Sequence, residues 1–474
     1  MRNRETLLLG AIFAVAIVLR LALALVNQEA NDDHLEVIRL LVQSFRHLSM
    51  TDCHECFHPK LYHAFCALLF RAAGINDAAV QTQLAQVVNA SAGIATLALI
   101  LDFLRRTPFS VPTRIIVFAM VAFNPRLIAI NIQASNDTFA ILFGTMALHG
   151  VWRFLESPCL GSYSQTLAGV ALAIASKGTA LVVGIALGLV FAAQTLRAFF
   201  VGHTRRAALQ LTLLLGVMAL AITIADYDFA GYDDYGGKGR ASPLYFLERV
   251  PVARPGIVSI FDSYLTFRFA GLLTEPMITN DAYRFPWHRT SLWTQLYGRL
   301  HFAQFDSWPA SWRTKKPVVR HVGRLIFALA LLPTGCFFWG LARHIRQAWR
   351  SWRRKNWGAL LDMGGLWPLV VIVGYTMFII KFTHDYRDFS AMKVIYIFPG
   401  MFAFVMVSAT GVEALVSSAG ASRAWSRIVY GTFAALAALY VVDVMLLLVH
   451  FTGIGGFARA LIAFSGSCLS ILPT

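Results

Sequence analysis

Charge is scarce in this chain: only 14% of its 474 residues are Asp, Glu, Lys or Arg, against roughly 25% in water-soluble domains. With 57% hydrophobic residues and a mean hydropathy of +0.60, that shortage excludes a soluble globular domain and a disordered chain. Cysteine is scarce too, six in all, so a disulfide scaffold is excluded. No internal repeat and no low-complexity run is present. What remains is an all-α polytopic membrane protein. Acidic residues are the rarer charge, 25 against 41 basic, for a net +16. In a membrane protein that excess belongs first to the loops between spans, and it calls for no nucleic-acid partner.

A helix crossing ~30 Å of hydrocarbon needs about 20 mainly apolar residues. Runs of this kind lie at 7–26, 80–104, 115–130, 139–155, 167–176 with 180–191, 209–224, 325–341, 367–380, 394–410 and 429–449. With the paired short runs counted as two, about 11 transmembrane helices are expected. The first run carries Ala22-Leu23-Ala24, a signal-peptide-like site, but is taken as an uncleaved span with a cytoplasmic N-terminus. Four basic clusters, around Arg105-Arg106, Arg205-Arg206, Arg343–Lys355 and Arg423, then fall on the cytoplasmic side. That orientation requires 58–74, which contains Lys60, His63 and Arg71, to lie at the interface as a juxtamembrane helix without crossing. Residues 1–225 form an N-terminal transmembrane module with a first external loop at 28–57, residues 226–321 a large external loop, and 322–474 the C-terminal helices.

The chemistry-bearing residues gather at the external ends. Asn31-Asp32-Asp33-His34 follows the first span directly, and acids beside a hydrocarbon span are costly unless they face water, a partner or a metal; a solvated helix cap is the alternative. The loop continues Thr51-Asp52-Cys53-His54-Glu55-Cys56-Phe57-His58-Pro59-Lys60-Leu61-Tyr62-His63. Its Cys53, His54, Glu55 and Cys56 are of metal-ligating type, so a divalent metal ion is a candidate cofactor, while a Cys53–Cys56 disulfide or two free thiols are the other readings. Ser135-Asn136-Asp137 and Ser176-Lys177-Gly178-Thr179 mark two further external turns, and Lys381–Asp388, with His384 and Arg387, a late one.

Taken in order, these motifs resemble the type C glycosyltransferases that use polyprenyl-phosphate sugars, the group containing protein O-mannosyltransferases and lipid A aminoarabinose transferases. The acidic motif with His34, the His-Pro-x-Leu-Tyr of His58–Tyr62, the Asn136-Asp137 motif, the Lys177 turn and the aromatic stretch Ser291–Tyr297 carry the likeness, which runs from about residue 30 to 300. Two departures stand out: the family's His-Pro-Pro is His58-Pro59-Lys60 here, and its Asp-Glu pair is Asp32-Asp33. The resemblance implies a sugar transferred from a polyprenyl-phosphate donor to a protein, glycolipid or polysaccharide acceptor, at the periplasmic face of a bacterial inner membrane. By the same resemblance Asp32, Asp33 and Asp137 are the catalytic candidates, Asp32 first as general base. Lys177, Lys60, His58, Arg240, Arg254, His384 and Arg387 are the candidates for the donor phosphate. A transporter or lipid flippase, or a non-catalytic subunit on the same scaffold, are the competing readings; the clustering of acids at external ends favours the enzyme.

Overall fold

The computed structural model describes residues 2–27, 33–46, 48–49, 52–227, 260–277, 290–305, 317–354, 365–386, 391–419 and 423–452. Every regular element among them is helical. Helix α1 (Arg2–Val26) is followed by two short helices, α2 (His34–Gln43) and α3 (Leu61–Ala72), and then by α4 (Ala78–Arg106), α5 (Val111–Ala122), α6 (Pro125–Asn131), α7 (Asp137–Glu156), α8 (Leu160–Ser176), α9 (Leu181–Val201) and α10 (Thr204–Tyr227). The large loop contributes α11 (Ile260–Tyr264), α12 (Phe269–Thr274) and α13 (Leu292–His301). The chain closes with α14 (Pro317–Leu329), α15 (Leu331–Arg353), α16 (Trp367–Tyr386), a 3-10 stretch Val394–Gly400, α17 (Met401–Ala419) and α18 (Arg423–Thr452).

Among the described residues nine helical stretches are long and apolar enough to cross a membrane, ten when α5 and α6 count as one broken span. The eleventh expected crossing corresponds to α8, whose 17 residues fall short of the about 20 that a full span takes. Helix α8 nevertheless runs antiparallel along α7. Gly150 near the end of α7 meets Ser162 and Thr166, and a Cβ at Gly169 would sit 2.5 Å from the Ala147 nitrogen, so glycine is what lets the two backbones close up. Helix α3 has 12 residues, about 18 Å at the α-helical rise, in keeping with an element that does not cross.

Local sequence explains the breaks. Asp77 caps α4 by accepting from the Ala79 and Val80 amides, and Pro125 opens α6 at a position whose amide needs no partner, with Asn124 capping the Leu127 amide. The 48° bend between α5 and α6 exposes carbonyls that the first span answers. Arg20, fully buried inside α1, donates to the Ala122 carbonyl at 2.9 Å and to Asn131 Oδ1 at 3.0 Å. An arginine in an apolar span is costly unless paired with backbone or polar groups in this way.

Two asparagines then fix the turn that follows α6. Asn27 Nδ2 donates to the Ile132 carbonyl at 3.0 Å, and Asn89 of α4 donates to the carbonyls of Gln133 (2.5 Å) and Ser135 (2.7 Å). The end of α1, the start of α7 and the end of α8 thereby meet at one end of the bundle. Arg105-Arg106, Arg205-Arg206 and Arg350–Arg353 occupy the other helix ends.

Candidate functional site

The turn between α8 and α9 supplies the site's cation. Lys177 ends α8 in an extended conformation, and its Nζ lies 2.6 Å from Oδ1 of Asp137 at the start of α7, both side chains more than nine-tenths buried. Ser135 Oγ approaches the other Asp137 oxygen at 3.4 Å, and Asn136 Nδ2 donates to the Ser176 carbonyl at 3.0 Å, clamping the two turns together. The Tyr396 ring, from the 3-10 stretch before α17, faces the ammonium with its centroid 5.7 Å away, a cation–π distance. Two of the turns singled out from sequence thus meet.

The first loop packs onto the same end. Tyr62 is fully buried, edge-on to Phe139 of α7 with centroids 5.2 Å apart, and its hydroxyl donates to the Ala85 carbonyl at 3.2 Å. That contact seats α3 against α4 and α7. Asp33, the last residue before α2, is exposed and adopts φ +58°. It is the only non-glycine residue with positive φ among the described residues, a left-handed conformation that Asp tolerates and that tends to cluster at functional sites. Asp32 itself, with Arg240, Arg254 and Arg387, lies outside the described residues.

Behind Asp33 three imidazoles stack. His34 and His58 have ring centroids 5.5 Å apart, His34 and His63 5.2 Å, and His34 Nδ1 lies 3.0 Å from His63 Nε2. Burial holds the pKa of His34 well below its ordinary range, and the neighbouring His63, His58 and Lys177 push the same way. In His63 burial again dominates, aided by Lys60, His58 and Lys177 against an opposing bond to the Pro59 carbonyl. Both rings are therefore neutral near pH 7, and the Lys177 charge reaches the first loop. Sequence reasoning did not bring these histidines together. The signal was there in five histidines between residues 34 and 63, but only the fold stacks three of them.

The remaining candidates separate. Lys60 is buried and its Nζ donates to the carbonyls of Cys56 and His58, each at 2.7 Å, so it closes the loop on itself. His58 Nε2 lies 3.0 Å from Glu55 Oε2, and exposed His54 lies 3.2 Å from Glu55 Oε1. Cys53 and Cys56 form a disulfide, which resolves the open alternatives and corrects the expected ligand set, because bonded sulfurs offer no thiolate to a metal. A different group has metal-ligating geometry: one donor atom each from His34, Glu55 and His58, all within 4.8 Å of one another. His384 is exposed at the end of α16. Arg268 pairs with Asp262 at 3.0 Å. In the aromatic stretch of the large loop Ser291 caps α13, and Trp293 Nε1 donates to the Tyr264 carbonyl at 2.8 Å; these contacts are architectural.

Comparison with known proteins follows the same line. Residues 60–229 match the family described as dolichyl-phosphate-mannose-protein mannosyltransferase, a segment that includes Lys60, Asp137 and Lys177. No curated protein matches the chain. Solved structures similar to it include ArnT from Cupriavidus metallidurans bound to undecaprenyl phosphate, at 13% identity over 98% of this chain and 79% of that one, with a TM-score of 0.45. An oligosaccharyltransferase from Archaeoglobus fulgidus, tethered to an acceptor peptide, is 14% identical over 94% of this chain and 55% of that one, with a TM-score of 0.43. The family match thus covers about a third of the chain, the segment in which α3, α7 and the Lys177 turn lie, and it is there that the chain is similar to mannosyltransferases that use a dolichyl-phosphate sugar.

Proposed function

We propose that this protein transfers a sugar from a polyprenyl-phosphate donor to an acceptor hydroxyl or amine at the bundle end where α1, α7 and α8 meet. The observation that carries this reading is the buried Lys177–Asp137 pair at 2.6 Å, set beside a carboxylate-bearing first loop. Leaving-group chemistry calls for a cation held in a low-dielectric pocket where charge develops on the departing phosphate. Lys177 is such a cation, and Asp137 with Tyr396 holds it in place. The named donor of the matched family, a polyprenol-class phosphate sugar, supports the same assignment.

The step is a displacement at the anomeric carbon. The acceptor atom forms a bond to that carbon, the bond from carbon to phosphate oxygen breaks with its electrons leaving on the polyprenyl phosphate, and the acceptor proton passes to a carboxylate. Asp32 is the assigned base and Asp33 its neighbour at the rim; a positioned base of this kind is worth roughly 10²–10⁴-fold. The basic clusters at the opposite helix ends support a site on the non-cytoplasmic face, which in a bacterial inner membrane is the periplasmic one.

The test is transfer from a panel of labelled polyprenyl-phosphate sugars by the purified protein in liposomes containing acceptor lipid or peptide. Wild-type protein is expected to consume at least one donor, and Asp32→Asn to reduce that rate by about 10²-fold or more. Full transfer retained in both Asp32→Asn and Asp33→Asn overturns the base assignment. No consumption of any donor by the wild type overturns the donor class.

A further inference from the structure

We propose that His34, Glu55 and His58 bind a transition-metal ion of the zinc type at the root of the first loop. Their donor atoms lie within 4.8 Å of one another. Ligands of a common tetrahedral ion, each about 2.0–2.2 Å from it, stand somewhat closer than that, so rotation of the side chains suffices to close the set.

The donor chemistry selects the ion. Two imidazoles and one carboxylate are a zinc-type set that leaves a fourth position open, whereas calcium and magnesium ask for six or more oxygens. The surroundings fit a coordinating role as well. His34 is 1% exposed and Glu55 4%, and Glu55 Oε2 already stands 3.0 Å from His58 Nε2, so a carboxylate and an imidazole of the set face each other out of bulk water. His63 Nε2, 3.0 Å from His34 Nδ1, is placed as the outer partner that fixes the orientation and tautomer of a ligating imidazole. The Cys53–Cys56 disulfide brackets Glu55 and restrains the loop that carries two of the three ligands.

An ion here ties the first turn of α2 to the disulfide loop, directly behind Asp33. Its role is positional: it sets where the acidic rim stands relative to Lys177. Metal binding is independent of the glycosyl-transfer reading, and each can fail without the other.

The experiment uses the full-length protein purified in detergent with its disulfide intact, stripped with a chelator and titrated with Co²⁺. Wild type is expected to take up one Co²⁺ per chain with the visible absorption of a low-coordinate site, displaced by Zn²⁺, and Zn²⁺ is expected to raise the unfolding temperature. Glu55→Gln and His34→Asn should each weaken binding by more than tenfold, and His63→Ala by roughly 10–100-fold with stoichiometry retained. His203→Ala, at an exposed position between α9 and α10, should leave binding unchanged. Absence of a saturable cobalt spectrum in wild type overturns the proposal without recourse to any variant. It is equally overturned if Glu55→Gln and His34→Asn bind as tightly as wild type, or if His203→Ala weakens binding as much as they do.

Discussion

Lys177 and Asp137 are 40 positions apart in sequence yet form a buried ion pair at 2.6 Å, because α7 and α8 are an antiparallel hairpin whose open end is the candidate site. Removing one partner of such a pair leaves an uncompensated charge and costs about 3–5 kcal/mol, while replacing both with apolar groups is milder. Lys177→Met and Asp137→Leu are therefore each expected to lower the unfolding temperature, and the double variant to recover part of the loss. Sugar transfer should stay at least ~10²-fold down in all three, the range for losing a transition-state charge stabiliser. Recovery of transfer together with stability in the double variant contradicts the functional role of Lys177.

Lys60 gives the opposite separation. Its ammonium donates to the Cys56 and His58 carbonyls, contacts within the loop itself. Lys60→Met is expected to lower stability by about 1–3 kcal/mol, the cost of leaving buried acceptors unpaired. Transfer by the folded fraction should then fall less than in Lys177→Met; an equal or greater fall at unchanged stability would make Lys60 a donor-phosphate ligand.

Two thiols report the orientation. Cys159 is exposed at the start of α8, and hydrogen bonding from Ser162 holds its pKa below the ordinary thiol range, so it should react readily with a maleimide. Cys66 is buried in α3 and its thiol is pushed up to about 12 by burial. A membrane-impermeant maleimide should label Cys159 from the cytoplasmic side and leave Cys66 unlabelled until the protein is denatured. Labelling of Cys159 only from the opposite side reverses the topology.

His301 makes stability pH-dependent. Burial pushes its pKa down to about 3 from an ordinary 6.5, while Nδ1 contacts the Tyr440 hydroxyl at 2.5 Å. The folded chain stays unprotonated there as pH falls below 6.5, whereas the unfolded chain gains a proton, so the stabilisation present above pH 6.5 is lost towards pH 3. Between about pH 7.5 and about pH 5 the loss is about 2 kcal/mol. Unfolding temperatures measured at both values should show a smaller pH-dependent drop in His301→Asn than in wild type.

The membrane class and most of the spans were legible because apolar runs and polar interruptions are properties of neighbouring residues. The expected interfacial segment at 58–74 contains the 12-residue helix α3 for the same reason: its length and charges argue locally. What needed the fold were partnerships between distant residues. Arg20 sits in a run that reads as uninterrupted hydrocarbon, and its partners, Ala122 and Asn131, are over a hundred positions away. Asp137 stood as a catalytic candidate and Lys177 as a phosphate candidate, and nothing in their neighbours said that the two would pair. Cys53 and Cys56 offered metal, thiol and disulfide readings, and backbone geometry decided for the disulfide, which moved the metal-ligating set onto His34, Glu55 and His58.

The account turns on where a donor's phosphate sits. The most direct measurement is a structure of the full chain with a non-hydrolysable polyprenyl-phosphate sugar analogue bound. The phosphate oxygens are predicted within ion-pair distance of Lys177 Nζ, with the anomeric carbon facing the first loop at Asp33. A phosphate bound at a site remote from Lys177, or a sugar directed towards the Arg105-Arg106 end of the bundle, would contradict it.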